Sequence, residues 1–287
     1  MTAIYKKEIR TYFTHMMGYI FLAFMLLLVG IWFSMISISG QNSNFHMVLS
    51  NITMFFFILI PVLTMRLFSE EARQKTDQLL FTSPLSVMQI VLGKFLAATT
   101  LFLISVAVTA VFPLMVMNYG SLPVSQIMGT YIGFFLIGMA CIAVGVFISV
   151  LTDNQIIAAI ATVGAVFVMF IIEAIALSMP TTTFASLIFV GVIVLAVAAI
   201  WYNSTKNVMA VLVVAALGLG IAGGLYLANN LFFDGIIVRT LLWLSIYSRF
   251  NNFAMGILNL NDIVYYISFS ALFIYLTANV IEKRRWR

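Results

Sequence analysis

Stretches of about 20 apolar residues recur along this chain, and that is the length a helix needs to cross a hydrocarbon core roughly 30 Å thick. They fall at 18–38, 50–67, 88–117, 125–150, 155–178, 184–202, 207–228 and 262–282. Backbone at that depth has to satisfy its own polar groups, so helices and closed barrels are the only spanning forms. A barrel would alternate polarity within segments of about 10 residues, and these blocks do not. The expectation is an all-α polytopic membrane protein with about eight spans, and six at minimum, in a single transmembrane domain over 1–287. Composition agrees, at 63% hydrophobic and 8% charged against roughly 25% charged in a soluble domain. The first block is too long for a signal-peptide core and has no small-residue cleavage site, so it reads as a retained helix. The single cysteine, Cys141, excludes an intrachain disulfide.

The flanks of these blocks carry the remaining information. Residues 1–17 mix Lys6, Lys7 and Arg10 with Ile4, Tyr5, Ile9, Tyr12 and Phe13, the pattern of an amphipathic helix lying in the interface with its basic face towards anionic headgroups. With the N-terminus cytoplasmic, twelve of the 14 basic residues fall on the inner side and only Arg239 and Arg249 on the outer. That asymmetry is the positive-inside pattern, so the net charge of +5 reflects topology and calls for no nucleic-acid partner. An even number of spans then places both termini in the cytoplasm. Segment 229–261 is apolar but interrupted by Asp234, Arg239, Arg249 and several asparagines, which suits short re-entrant or surface helices capping the outer face. Pro61 predicts a kink in the second span. Gly129-x-x-x-Gly133 and Gly220-x-x-x-Gly224 permit close helix approach, with packing inside the chain as the preferred reading.

The few charges concentrate in one place. Between the second and third blocks, Glu70, Glu71, Arg73, Lys75 and Asp77 crowd a short run that predicts a cytoplasmic helix over 68–84, ended by Ser83-Pro84 because the residue before proline is pushed out of the α region. Glu71 and Lys75 stand four apart, as do Arg73 and Asp77, and each such pair adds only about 0.2–0.5 kcal/mol. Glu70 and Glu71 also suit the positive end of the helix dipole. A helix of this kind presents a surface to a soluble partner, or is simply a solvated face. The loop Thr152-Asp153-Asn154-Gln155 offers a lesser inner contact, or a plain cap for the fifth span.

Catalytic chemistry is not legible. Gly93-Lys94 fails as a phosphate loop because Met88 stands where the pattern needs glycine and Phe95 where it needs Ser or Thr. His15 and His46 lie on opposite sides of the membrane with no acid or thiol beside them, so no metal site is expected. No nucleophile-base pair occurs within the spans. Glu173, towards the outer end of the fifth span, is the one acid deep in an apolar block. Such groups line a water-filled pathway or sit protonated and hydrogen-bonded near the interface.

Three passages resemble the permease subunits of type-two ABC exporters, and most closely their gliding-motility-like branch: KKEIRTYF with GYIFLAFMLLLVGIWF; PVLTMRLFSEEARQKTDQLLFTSPLSVMQIVLGKFLAA; and SRFNNFAMGILNLNDIVYYISFSALFIYLTANVIEKRRW. The middle one is the most specific. The chain departs from the family at Thr14-His15, where Ser-Pro is frequent, at Lys75, where glycine is frequent, and in exceeding six spans. The resemblance implies a permease in a bacterial cell membrane that receives energy from a separate cytoplasmic ATPase. That subunit would bind ATP and magnesium, with no cofactor in this chain. It also implies an interfacial helix over 4–17 and a coupling helix over about 69–82, so that Ser69, Glu70, Glu71, Arg73, Gln74, Lys75 and Asp77 meet the ATPase, with Asp153 as the lesser contact. A second permease copy or a paralogue would complete the pathway, and the gliding-like branch implies a membrane-anchored accessory protein. Two other readings stay open at the level of sequence: an ion-coupled secondary transporter, which predicts an internal repeat that is not evident, and a membrane anchor or force transmitter of the same ATPase.

Overall fold

The structure, a computed structural model, describes residues 1–40, 45–76, 85–117, 123–205 and 233–285, together with scattered positions between 209 and 226. Among the described residues every regular element is a helix. In chain order they are α1 (Thr2–Thr14), α2 (Met17–Phe33), α3 (His46–Thr53), α4 (Phe56–Thr64), α5 (Ser69–Gln74), α6 (Val87–Thr109) and α7 (Val111–Met117). There follow α8 (Val124–Leu151), α9 (Gln155–Ser178), α10 (Thr183–Thr205), α11 (Ile236–Leu244), α12 (Ile246–Ala254) and α13 (Leu260–Arg285). The last turns of the first span run on from α2 as a π-helix over Ser34–Ser39.

Five described helical stretches are long and apolar enough to cross a membrane, and six if the bent pair α3 and α4 forms one span. The chain is therefore an all-α polytopic membrane protein. The sixth apolar block is present as α10, whose described apolar run, Thr183–Ala196, is short for a crossing. The seventh lies mostly outside the described residues.

Two compact units are formed, one by 1–170 with 246–287 and the other by 171–245. In the first, α8 is the central post: α13, α12, α4, α6 and α3 all pack on it. Missing side chains make this possible. A Cβ at Gly133 would lie 2.5 Å from the Phe253 Cβ, one at Gly138 2.2 Å from the Phe102 ring, and one at Gly145 2.4 Å from the Thr64 hydroxyl. The Gly129/Gly133 pair thus packs within the chain, against α12, whereas a Cβ at Gly220 or Gly224 would meet nothing within 4 Å among the described residues. Phe56, Phe102 and Phe134 meet at the centre with ring centroids 4.8–5.8 Å apart, edge-on or offset as aromatic quadrupoles prefer.

The second span bends by 64°, but not at Pro61. The break falls at Met54–Phe55, where Phe55 leaves helical geometry (φ −82°, ψ 2°). Pro61 continues inside α4 and is itself buried. The break seats Phe56, fully buried, between Phe102 and Phe134.

Segment 229–261 holds two short helices, α11 and α12, with 229–232 outside the described residues. Within the first unit, α12 is tied to the start of α13: Arg249 Nη1 donates to Asp262 Oδ1 (3.0 Å) and Asn252 Nδ2 to Asp262 Oδ2 (2.9 Å). The Arg249 guanidinium lies 3.9 Å over the Tyr265 ring. In the second unit α10 packs on α11, and the Gly235 amide donates to the Thr181 carbonyl (3.2 Å).

Candidate functional site

The charged run between the second and third spans does form a helix, but a short one. Helix α5 stops at Gln74 because Lys75 turns into the left-handed region (φ 57°). The amides of Lys75 and Thr76 then close back on the carbonyls of Ala72 and Glu71, the double closure that ends many helices and that usually employs glycine. The predicted helix over 68–84 is thus broken at Lys75, and the predicted stop at Ser83-Pro84 lies outside the described residues. The Glu71–Lys75 pair is lost with it, since Lys75 no longer lies one turn above Glu71. Asp77 and the rest of 77–84 fall outside the described residues.

Glu71 has other partners. The Lys7 ammonium on α1 donates to Glu71 Oε1 at 3.1 Å, and Lys94 Nζ on α6 lies 2.9 Å from Glu71 Oε2. Lys94 also donates to Glu8 Oε1 on α1 at 3.1 Å, and Lys7 lies 3.7 Å from the same Glu8 oxygen. Two cations and two carboxylates therefore alternate around a closed ring. The Lys94 side chain is only 1% exposed. Its remaining contacts are the Leu67 carbonyl (2.6 Å), which follows α4, and the face of the Phe68 ring (4.9 Å).

An ammonium buried so deeply is stable only when paired and hydrogen-bonded, and here the partners come from α1, α5 and the turn between α4 and α5. Partial burial works against the charge of Lys7, but Glu71 and Glu8 beside it outweigh that and raise its pKa above 10.5. Burial, assisted by the charge of Glu8, raises the Tyr12 phenol well above 10, and its hydroxyl donates to the Leu63 carbonyl (3.0 Å).

A further tie holds α5 to the central post. The Ser149 hydroxyl oxygen on α8 accepts from the amides of Phe68 (3.1 Å) and Ser69 (3.3 Å) and donates to the Met65 carbonyl (3.4 Å). Ser69, itself buried, donates its hydroxyl to Met65 as well. The first amides of a helix lack partners within it, and a side chain from another span supplies them here. Helix α5 is thus clamped by α1, α6 and α8 together.

Beside the ring a cavity of about 470 Å³ opens between α1 and the end of the second span, lined among others by Tyr12, His15, Arg66, Glu70 and Gln74. Glu70 lies 3.9 Å from Arg66 and accepts from Gln74 at 3.4 Å. Arg73, Gln74 and Lys75 are exposed on the free side of α5. Asp153 lies apart from this group, 3.5 Å from Arg284 at the end of α13, while the neighbouring Asn154 side chain caps α9 by accepting from Ile156 (2.9 Å). Glu173 is half-buried on α9, in the part of that helix belonging to the second unit.

Glu8, Lys94 and Ser149 were not legible as site residues in the sequence. A signal existed for Lys94: a lone ionisable residue inside an apolar block requires a partner, even where the phosphate-loop pattern fails.

No curated protein matches the chain. Residues 32–190 match the ABC-2 family transporter protein family. The match covers more than half of the sequence, from the end of α2 into α10, and includes α5, Lys94 and Ser149 but not α1; the chain accordingly belongs to the ABC-2 family of transporter proteins.

Proposed function

We propose that this chain is the permease subunit of an ATP-driven exporter of the gliding-motility-like branch. It works as a dimer with a second copy or a paralogue, in a bacterial cell membrane, with both termini cytoplasmic. Members of this family are membrane components that act with an ATP-binding subunit. In the proposed cycle that separate cytoplasmic ATPase binds ATP and magnesium and docks on the exposed side of α5 at Glu70, Arg73, Gln74 and Lys75. Asp153 and Asp77 extend the contact, and a membrane-anchored accessory protein completes the assembly.

The observation that carries this reading is the closed ring Lys7–Glu71–Lys94–Glu8. A surface that merely met solvent would have no use for a buried ammonium linking three elements. An input helix has to be rigidly joined to the spans it moves, and Glu71 meets that requirement through Lys94. Nucleotide-driven closure of the ATPases would then displace α5, α1 and α6 as one body. Such a shift is driven only by the difference in ATPase affinity between the two permease states.

The test is isolation of the tagged chain in mild detergent. It is expected to bring down an ATP-hydrolysing subunit, and reversing the charges of Glu70 and Arg73 is expected to lose it. Lys94→Met should retain the subunit but uncouple its ATP hydrolysis from transport. It should also destabilise the chain by about 3 kcal/mol, because removing one partner leaves buried charge uncompensated. Absence of any ATPase, or full coupling in Lys94→Met, would overturn the proposal.

A further inference from the structure

On the other flank of α1 lies a second concavity of about 480 Å³, and its charge is one-sided. Lys6, Lys7, Arg10 and His15 line it, with no carboxylate among the lining residues. Lys6, Arg10 and Thr14 recur every fourth residue, which puts them on one face of the helix. The two threonine hydroxyls present are already committed, Thr11 donating to the Lys7 carbonyl and Thr14 to that of Arg10. The donors left for a ligand are therefore the Lys6 and Arg10 cations and the His15 imidazole. Lys7, Lys94, Arg66, Arg249 and Arg284 all pair with carboxylates, whereas Lys6 and Arg10 pair with none among the described residues.

Position limits what an anion here can belong to. Helix α1 ends at Thr14 and the first span begins at Met17, so the concavity stands within one turn of the hydrocarbon boundary. Next to it Met16 is 78% exposed, with Tyr19 and Ile20 also open on the outside of the span. A soluble phosphate would leave those side chains bare. A phospholipid covers them with its acyl chains while its headgroup meets the cations.

We infer that Lys6, Arg10 and His15 form a binding site for the phosphate of an anionic phospholipid in the leaflet that α1 faces. Because Lys7, the neighbour of Lys6, holds Glu71 of the coupling helix, a lipid bound here steadies the helix on which the clamp is built. The inference concerns the chain and the bilayer alone, so its test needs no ATPase and its outcome is separate from that of the export reading.

The chain is placed in nanodiscs containing phosphatidylglycerol and phosphatidylcholine, and the lipids that stay bound are counted by native mass spectrometry. Preferential retention of phosphatidylglycerol is expected. Lys6→Gln and Arg10→Gln should each reduce the preference about fivefold, the weight of one basic residue near an anionic surface. Lys6→Arg should keep it, with helicity by circular dichroism verifying the fold of every variant. Removing the same charge elsewhere, with Lys283→Gln and Arg285→Gln at the end of α13, should leave the preference intact. An equal loss in that control would reduce the effect to a diffuse field. Displacement of the lipid by inorganic phosphate would assign the site to a soluble anion. No preference at all would remove the site.

Discussion

Lys75 is the one non-glycine residue with positive φ among those described, in a region of backbone space that glycine enters without a Cβ penalty. Left-handed backbone costs a residue with a Cβ roughly 1–2 kcal/mol, while glycine gives back about 0.4–1 kcal/mol through the entropy of the unfolded chain. Lys75→Gly should therefore raise stability by about 0.5–1 kcal/mol, and a β-branched Lys75→Val should lower it by at least as much. Thermal melts in detergent would check the order, and a Val variant more stable than the Gly variant would contradict the left-handed stop. At this scale the sequence misleads in a definable way. Glu71 and Lys75 have the right spacing for a helical pair, but that spacing is meaningful only if the helix continues, and the stop at Lys75 hands Glu71 to Lys7 and Lys94.

Helix α1 reads in sequence as a basic amphipathic segment at the interface. In the structure it is packed along the beginning of α6: Ile4 would be in contact with any Cβ at Gly93 (3.1 Å), and the Tyr5 hydroxyl lies 3.0 Å from that of Thr100. Part of its hold on the rest of the chain comes from two groups whose folded pKa values are raised, Lys7 and Tyr12. For both, the native state binds its proton more tightly than the unfolded chain. Their contribution is therefore complete below the unfolded values, near 10 for Tyr and 10.5 for Lys, and is lost as pH rises above them. Amide exchange in α1 should accelerate above about pH 10 before that in α8 does. Uniform exchange across both helices would show that α1 is not held through these groups. The predicted kink at Pro61 was displaced for a reason also visible at this scale: the bend falls where it buries Phe56 between two rings.

At the scale of the whole molecule, Glu173 belongs to the second unit and the α5 clamp to the first. As a pathway residue it predicts that Glu173→Gln lowers transport into vesicles while binding of the ATPase subunit is unchanged. Undiminished transport would remove Glu173 from the pathway. The sequence alone determined that the chain is helical and membrane-spanning, where most spans begin and end, and where charge collects between the second and third of them. Those properties follow from hydropathy and length, which act locally along the chain. Tertiary structure decided which charges meet. Glu8 and Lys94 are 86 residues apart, and Lys7 and Glu71 are 64 apart. Neither pair has a periodicity to betray it, because each joins helices far apart in the chain, and the ring needs α1, α5 and α6 to converge. That convergence turns four ordinary charged residues, Lys94 among them almost wholly buried, into a ring that none of them could form alone.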